Sequence, residues 1–214
     1  MLVDLDPSII SKFRARVNNR AFIDRYKNVN GKNLWNVVCS AMDWISVAVD
    51  GIPLIELESS KMGTDHHQTL NLIAYIVAID NMYESIRQLY RVLCVKDCYP
   101  LRQDKSIFQQ SEIPDDVYFK QIRAVFATHP VQLHSADGRP RDPKERFFAS
   151  WASSGIGIED FTVFLYSGNA DAQDGTIPFG VSISKVNRYA EVRYSLLNPL
   201  SDKVSDLAQN YKLS

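Results

Sequence analysis

DHHQTLNLIAYIVAIDNMYESIRQLYRVLCV, residues 65–95, is the stretch whose reading decides the fold. Leu72, Ile76, Ile79, Tyr83, Ile86, Tyr90 and Leu93 alternate steps of four and three, the spacing of one face of an α-helix. Gly63, Thr64 and Asp65 stand at its start and supply an N-cap. A heptad stripe of this length packs along another helix, as in an antiparallel bundle. The first half is apolar elsewhere too, at Ile73, Ala74, Val77 and Ala78, so burial on several sides is expected, by the bundle or by a second subunit. Asp80, Glu84, Arg87 and Arg91 form one polar stripe in the second half, which is expected to be wet.

The rest of the chain extends this helical reading. Pro7 and Ser8 open a helix expected to run to about Asn28, stopped by Asn30-Gly31. A second begins near Asn33 with a stripe of Leu34, Val38, Ala41, Ile45, Ala48 and Ile52, and Gly51 with Pro53 ends or bends it. Pro114, Asp115 and Asp116 start a helix carrying Phe119, Ile122 and Phe126, which stops at His129 because Pro130 disfavours the α conformation before it. A short helical turn is expected over Lys144 to Trp151. Phe161, Val163 and Leu165, then Ile177, Phe179, Val181 and Ile183, alternate with other residues across a turn-rich link, which reads as a β-hairpin. Two strands alone are marginal in water, so the hairpin must lie on the helices or add to a partner. Lys185 to Tyr211 reads as helix, broken at Asn198-Pro199. The expected architecture is therefore all-α. It is an antiparallel helical bundle forming one domain over residues 1–214, with a small β-hairpin at 158–184 inserted before the C-terminal helix.

Bulk composition narrows the function. With 214 residues, 45% hydrophobic and 23% charged, the chain can build a substantial core. A formal net charge of -1 excludes a strongly basic coat, so any RNA contact must come from a local patch. MLVDLDPSIISKF has no basic region followed by an apolar core, and the apolar run Leu70 to Ile79 is too short to span a bilayer. Cys39, Cys94 and Cys98 make an odd count that fits reduced thiols, and the last two read as ordinary helix residues. A cytoplasmic location without membrane association is the expectation.

YFKQIRAVFATHPVQLH, residues 118–134, contains an Arg and a His separated by five residues, Arg123 and His129. With the long amphipathic helix that precedes it, this segment resembles the signature of HEPN proteins, small all-helical nucleases and nucleic-acid-linked modules. Their motif is an Arg, four to six residues, then a His. The resemblance spans residues 34–134 by pattern. It implies a metal-independent endoribonuclease, such as a bacterial toxin or defence effector, that needs no cofactor and whose cleft forms between two subunits of a homodimer. Its partners would be RNA and an antitoxin or other regulatory protein. Ala124 stands where the family commonly has a polar residue, which favours a second reading, a catalytically silent module that binds protein or nucleic acid. An unrelated helical scaffold whose hairpin docks on another protein is the third.

The chemistry asks little of the protein, because RNA carries its own nucleophile, the 2′-hydroxyl. A His near neutrality can take that proton or protonate the leaving 5′-oxygen. An Arg can hold the phosphate and stabilise the added charge of the transition state. On a continuous α-helix, six steps of about 100° set Arg123 and His129 roughly 120° apart, so the helix must unwind near Thr128 or the two groups must meet across a dimer. Lys120, Arg139 and Arg141 are candidates for phosphate binding, the alternative being solvated surface charge. Asp80 and Glu84 could position the Arg or His; their alternative is pairing with Arg87 and Arg91 along one helix. Asp65, His66 and His67, with His129 or His134, are the rival metal-ligand set, although adjacent helical histidines point about 100° apart.

Overall fold

The computed structural model describes residues 1–58, 65–94, 98–109, 113–134, 145–155, 159–169 and 176–210, with backbone alone at 206–210. Its helices are α1 (Pro7–Val17), α2 (Arg20–Lys27), α3 (Leu34–Gly51), α4 (His66–Leu93), α5 (Asp115–Arg123), α6 (Ile183–Ser195) and α7 (Leu197–Asn210). A 3₁₀ turn, Ile52–Leu54, follows α3, and a π-helical turn, Ala124–Thr128, follows α5. The strands are β1 (Phe147–Ala149), β2 (Ser153–Ser154), β3 (Phe161–Ser167) and β4 (Ile177–Val181). The chain is mainly helical, but it also carries a four-stranded antiparallel sheet, so the all-α expectation is corrected to a helical fold with a sheet. By its internal contacts the chain divides into two compact units.

The first unit comprises Met1–Leu2, Ile55–Asp80 and Leu101–Tyr189, and so holds the first half of α4, all of α5 and the sheet. At the start of α4, Asp65 caps as expected, its Oδ1 accepting from the N–H of His67 at 2.8 Å; Gly63 and Thr64 lie outside the described residues. The expected hairpin is β3 with β4, in register from Phe161↔Val181 to Leu165↔Ile177. What the sequence reading missed is the other edge of β3. There β1 pairs from Phe147↔Ser167 to Ala149↔Leu165, and β2 pairs Ser153 with Thr162 and Ser154 with Phe161. Within the expected helical turn over 144–151, Phe147–Ala149 is instead strand β1, and the other described residues there are neither helix nor strand. Phe147 is buried and Phe148 exposed, a period of two rather than 3.6, and the strand satisfies backbone groups that a lone hairpin would leave open.

The second unit comprises Val3–Leu54, Asn81–Pro100 and Ala190–Ser214. The first predicted helix breaks into α1 and α2, because Asn18 and Asn19 are better caps than helix interiors: Asn19 Oδ1 accepts from Phe22 N at 3.0 Å and opens α2. α1 packs on α3 and α7, and α2 packs on α3. Along α3, Val38, Ala41, Ile45, Ala48 and Ile52 are buried as their spacing predicts. With its 3₁₀ turn, Leu34–Leu54 is long and apolar enough to cross a membrane by length and composition, with a mean hydropathy of 1.5; the buried stripe gives that composition a core role. The helical break near the C-terminus falls at Leu196 rather than at Asn198-Pro199, because Pro199 sits in the first turn of α7, where no backbone donor is needed.

Two tyrosines pin the second unit. Tyr194 Oη donates to Asp6 O at 2.8 Å and Tyr90 Oη to Leu196 O at 2.9 Å, and burial pushes both phenols up to about 12. Cys94 and Cys98 form a disulfide, with their Cα atoms 6.1 Å apart, within normal bridging reach. The expectation of three reduced thiols is corrected on this point, and Cys39 is the free one.

The heptad stripe of α4 is buried along its whole length, from Leu72 to Leu93. Within one chain the expected contrast between its halves is present only in part: Glu84 and Arg87 are half-buried and Arg91 is exposed, which keeps a wet face on the second half. In the first half Leu70 and Ala74 are exposed and Ile73, Val77 and Ala78 half-buried, whereas Met82, Ser85 and Leu89 in the second half are buried. Asp80, placed on the wet stripe by its spacing, is also buried.

Candidate functional site

The candidate residues gather around α5, and a set of hydrogen bonds in the first unit explains how that helix is held. Asp115 and Asp116 stand in the first turn of α5, at the positive end of the helix dipole, as the start signal implies. Both are buried. Asp115 Oδ2 accepts from Ile107 N and Oδ1 from Phe108 N, each at 3.0 Å, while Asp115 N donates to Asp104 O at 2.7 Å. Asp116 Oδ1 accepts from Tyr189 Oη at 3.0 Å, and the Tyr189 ring stacks on Phe119 with centroids 4.3 Å apart. The start of α5 is therefore clamped by the preceding loop and by α6. Phe119 and Ile122 bury its apolar face, in line with their spacing.

With α5 so held, Arg123 meets α4. Its Nη1 donates to Asp80 Oδ2 at 2.7 Å, with the Asp80 side chain 8% exposed and that of Arg123 33%. The carboxylate is enclosed while the guanidinium keeps an open edge, so the pair can fix the arginine and still leave donors for a ligand. Of the two carboxylates that the sequence offers to position the arginine, Asp80 is the one in contact with it. Glu84 takes the other course considered for it: Arg87 Nη1 lies 3.1 Å from Glu84 Oε1, three positions along the same helix.

Directly after Arg123 the backbone ladder slips. Ala124 N–H is shared between Lys120 O and Gln121 O, and His129 N then donates to Ala124 O at 3.0 Å, an i to i−5 bond. π-helical turns of this kind are rare and occur frequently at functional sites. Pro130 ends the ladder because it has no N–H, and His129 leaves the α region at φ -138 and ψ 43. The helix does unwind between the two motif residues, and it does so from Ala124, earlier than the Pro130 argument suggested. His129 is exposed, and among the described residues its ring makes no hydrogen bond or ion pair. No hydrogen bond joins it to Arg123 among those residues.

Lys120, one turn before Arg123, is half-buried, and Arg139 and Arg141 lie outside the described residues. Of the rival metal set, Asp65 caps α4 and His67 Nδ1 lies 3.3 Å from Asn71 Nδ2, so both serve the start of that helix.

No protein-family model, curated protein or solved structure matches the chain. The functional reading therefore rests on the residues themselves. Two features of the site escaped the sequence reading, the buried Asp115 clamp and the π-turn. The clamp has a signal in the two consecutive acids after Pro114, although a place near the positive end of the helix dipole does not by itself call for burial. The π-turn had none, since AVFAT is an ordinary helical composition.

Proposed function

We propose that this chain is a metal-independent endoribonuclease of the HEPN type, of the kind that serves as a bacterial toxin or defence effector, working in the cytoplasm as a homodimer. The single observation that carries the reading is the Asp80–Arg123 ion pair at 2.7 Å, set one residue before the π-turn that delivers His129 to the surface. A buried carboxylate on one helix orients the arginine of the motif on the next, and the histidine beyond it is accessible. In this reading Arg123 binds the scissile phosphate and stabilises the charge that accumulates in the transition state. His129 accepts the proton of the 2′-hydroxyl or donates one to the departing 5′-oxygen. The products are a 2′,3′-cyclic phosphate and a 5′-hydroxyl. Because Arg123 and His129 are not joined within one chain, the reading places the partner subunit's motif opposite, and the exposed Leu70 and Ala74 on α4 offer apolar surface for such an assembly.

A second reading also has an observation behind it. Asp80 already occupies one guanidinium nitrogen, and Ala124 follows the arginine, which together favour a silent module that binds protein or nucleic acid. Cleavage of total RNA in excess EDTA separates the two. Wild type is expected to leave cyclic-phosphate ends, and His129→Ala and Arg123→Ala, checked for folding and for dimerisation, are expected to leave RNA intact. Equal cutting by all three proteins, or none by any, removes the nuclease reading.

A further inference from the structure

In the first unit the sheet has two faces of opposite character. Side chains alternate along β3, so Phe161, Val163 and Leu165 fall on one face and Phe164 and Tyr166 on the other. The first set is buried, as are Phe147 of β1 and Phe179 of β4, and the Phe179 ring is paired with those of Tyr118 and Phe126. The second set opens to solvent. Tyr166 is 48% exposed and its cross-strand partner Phe148 41%, while Phe164 is half-buried opposite the exposed Pro178. Among the described residues none of these three outer rings makes a ring contact, and the Tyr166 hydroxyl makes no hydrogen bond. A contiguous row of open rings marks an interaction surface. Gly168 helps to present it: a Cβ there would come within 3.0 Å of Phe148 Cε2, so the ring already covers the place a side chain would fill.

The surroundings select the occupant. Gly168 N donates to Arg146 O, and Leu133 is bridged to Phe147, which sets Arg146 and His134 one step along the same face. By the same register the exposed Gln132 lies beside Phe148. Among the described residues these exposed rows carry no acid; Glu159, over Gly180 at the closed end, is paired with Lys185 at 3.4 Å. Open rings with a cation and polar edge groups fit a polyanion that carries flat bases. The face also adjoins the motif. Ala149 N donates to Pro130 O at 2.6 Å, so the residue after His129 is bonded to the strand that carries Phe148. A duplex keeps its base faces stacked inside, so only a single strand can offer them to the rings.

We propose that the outer face of the sheet binds single-stranded RNA, with Phe148 and Tyr166 as stacking platforms for successive bases and Arg146 on the phosphates. This deepens the nuclease reading, on which it rests for the identity of the adjoining motif, by naming the substrate class and the surface that holds it.

The test separates binding from cleavage. A fluorescent 2′-O-methyl oligonucleotide of about ten nucleotides lacks the nucleophile, and its binding to the full chain is followed by anisotropy in EDTA. Phe148→Ala and Tyr166→Ala remove exposed rings, with folding checked by melting, and Tyr166→Phe keeps the ring without the hydroxyl. Wild type and Tyr166→Phe are expected to bind the single strand alike, and each alanine variant to bind it about tenfold more weakly. The same sequence as a duplex is expected to bind wild type more weakly than the single strand. Unchanged affinity in either alanine variant, equal binding of the duplex, or no binding at all overturns the proposal. So does a change of oligomeric state in Phe148→Ala/Tyr166→Ala with oligonucleotide binding intact, which assigns the face to a protein contact. Ordinary RNA tells the two readings apart. If wild type binds as expected but leaves RNA uncut, the nuclease reading fails and the surface stands; cutting by both alanine variants at the wild-type KM removes the surface and leaves the nuclease.

Discussion

Replacing Arg123 by Met, which keeps the aliphatic stem and removes the charge, isolates what the ion pair with Asp80 contributes. The two partners are unequal: the Asp80 side chain is 8% exposed and that of Arg123 33%, at an N···O distance of 2.7 Å. Arg123→Met leaves a buried carboxylate without its cation, whereas Asp80→Asn leaves an arginine that still reaches water and still meets a neutral acceptor. Removing one partner of a buried pair costs about 3–5 kcal/mol and breaking a surface pair about 0–1 kcal/mol. Solvent at the guanidinium discounts the first figure, so Arg123→Met should cost about 2 kcal/mol and Asp80→Asn about 0.5 kcal/mol. For a chain of this size about 2 kcal/mol corresponds to a fall of about 4–8 °C in Tm. The double variant gives the sharper result. Asp80→Asn neutralises the stranded carboxylate, so Arg123→Met/Asp80→Asn should be more stable than Arg123→Met alone by about 1 kcal/mol. Urea denaturation followed by circular dichroism, with calorimetry in parallel, measures all four proteins. A double variant no more stable than Arg123→Met, or an Asp80→Asn variant worse than Arg123→Met, would refute the claim that the buried carboxylate depends on the arginine.

Three further outcomes follow from other parts of the fold. Asp115→Ala leaves Ile107 N–H and Phe108 N–H without their acceptor and is expected to destabilise the chain by about 2–3 kcal/mol, and hydrogen exchange should rise first at those two amides. If exchange there is unchanged, the clamp on α5 is misassigned. The phenols of Tyr90 and Tyr194 are pushed up to about 12 by burial, from an ordinary value of 10.0. Each therefore holds its proton longer in the folded state, and the stability this contributes is complete below pH 10 and lost as pH rises toward 12. Melting temperature should drop across that window, and Tyr90→Phe, which cannot ionise, should flatten the drop; an equal slope in the variant contradicts the assignment. Finally, maleimide labelling in denaturant should modify one thiol before reduction, Cys39, and all three cysteines afterwards. Three labelled thiols without reductant would dismiss the Cys94–Cys98 bridge.

The places where sequence reading and structure parted have common physical causes. Periodicity reports which face of an element is apolar, and it located α3, α4 and α5 and the buried rows on them correctly. It says little about a short strand such as Phe147–Ala149, because three residues cannot display a period and the strand exists only through its pairing with β3. The Asn18-Asn19 break was visible in composition, since asparagine competes with helix for the backbone, but cap chemistry is weaker evidence than an apolar stripe and was passed over. At the candidate site, Arg123, His129, Asp80 and Glu84 were all legible as residues of interest. Which carboxylate meets Arg123 was not, because both acids lie on one stripe of α4 and spacing distinguishes them only by giving Glu84 a basic neighbour within one turn, Arg87.

From sequence alone, the long amphipathic helix over residues 65–95, the helix ending at Pro130, the β3–β4 hairpin and the Arg–His spacing were determined. Each depends on local periodicity, on proline and asparagine chemistry, or on residue order, and these act over a few positions. Only the tertiary structure decided that Asp80 is enclosed and paired with Arg123, that Asp115 turns back to the 107–108 amides, and that β1 and β2 complete the sheet. Contacts between residues tens of positions apart are set by how elements pack, and packing depends on the summed burial of many side chains rather than on any motif.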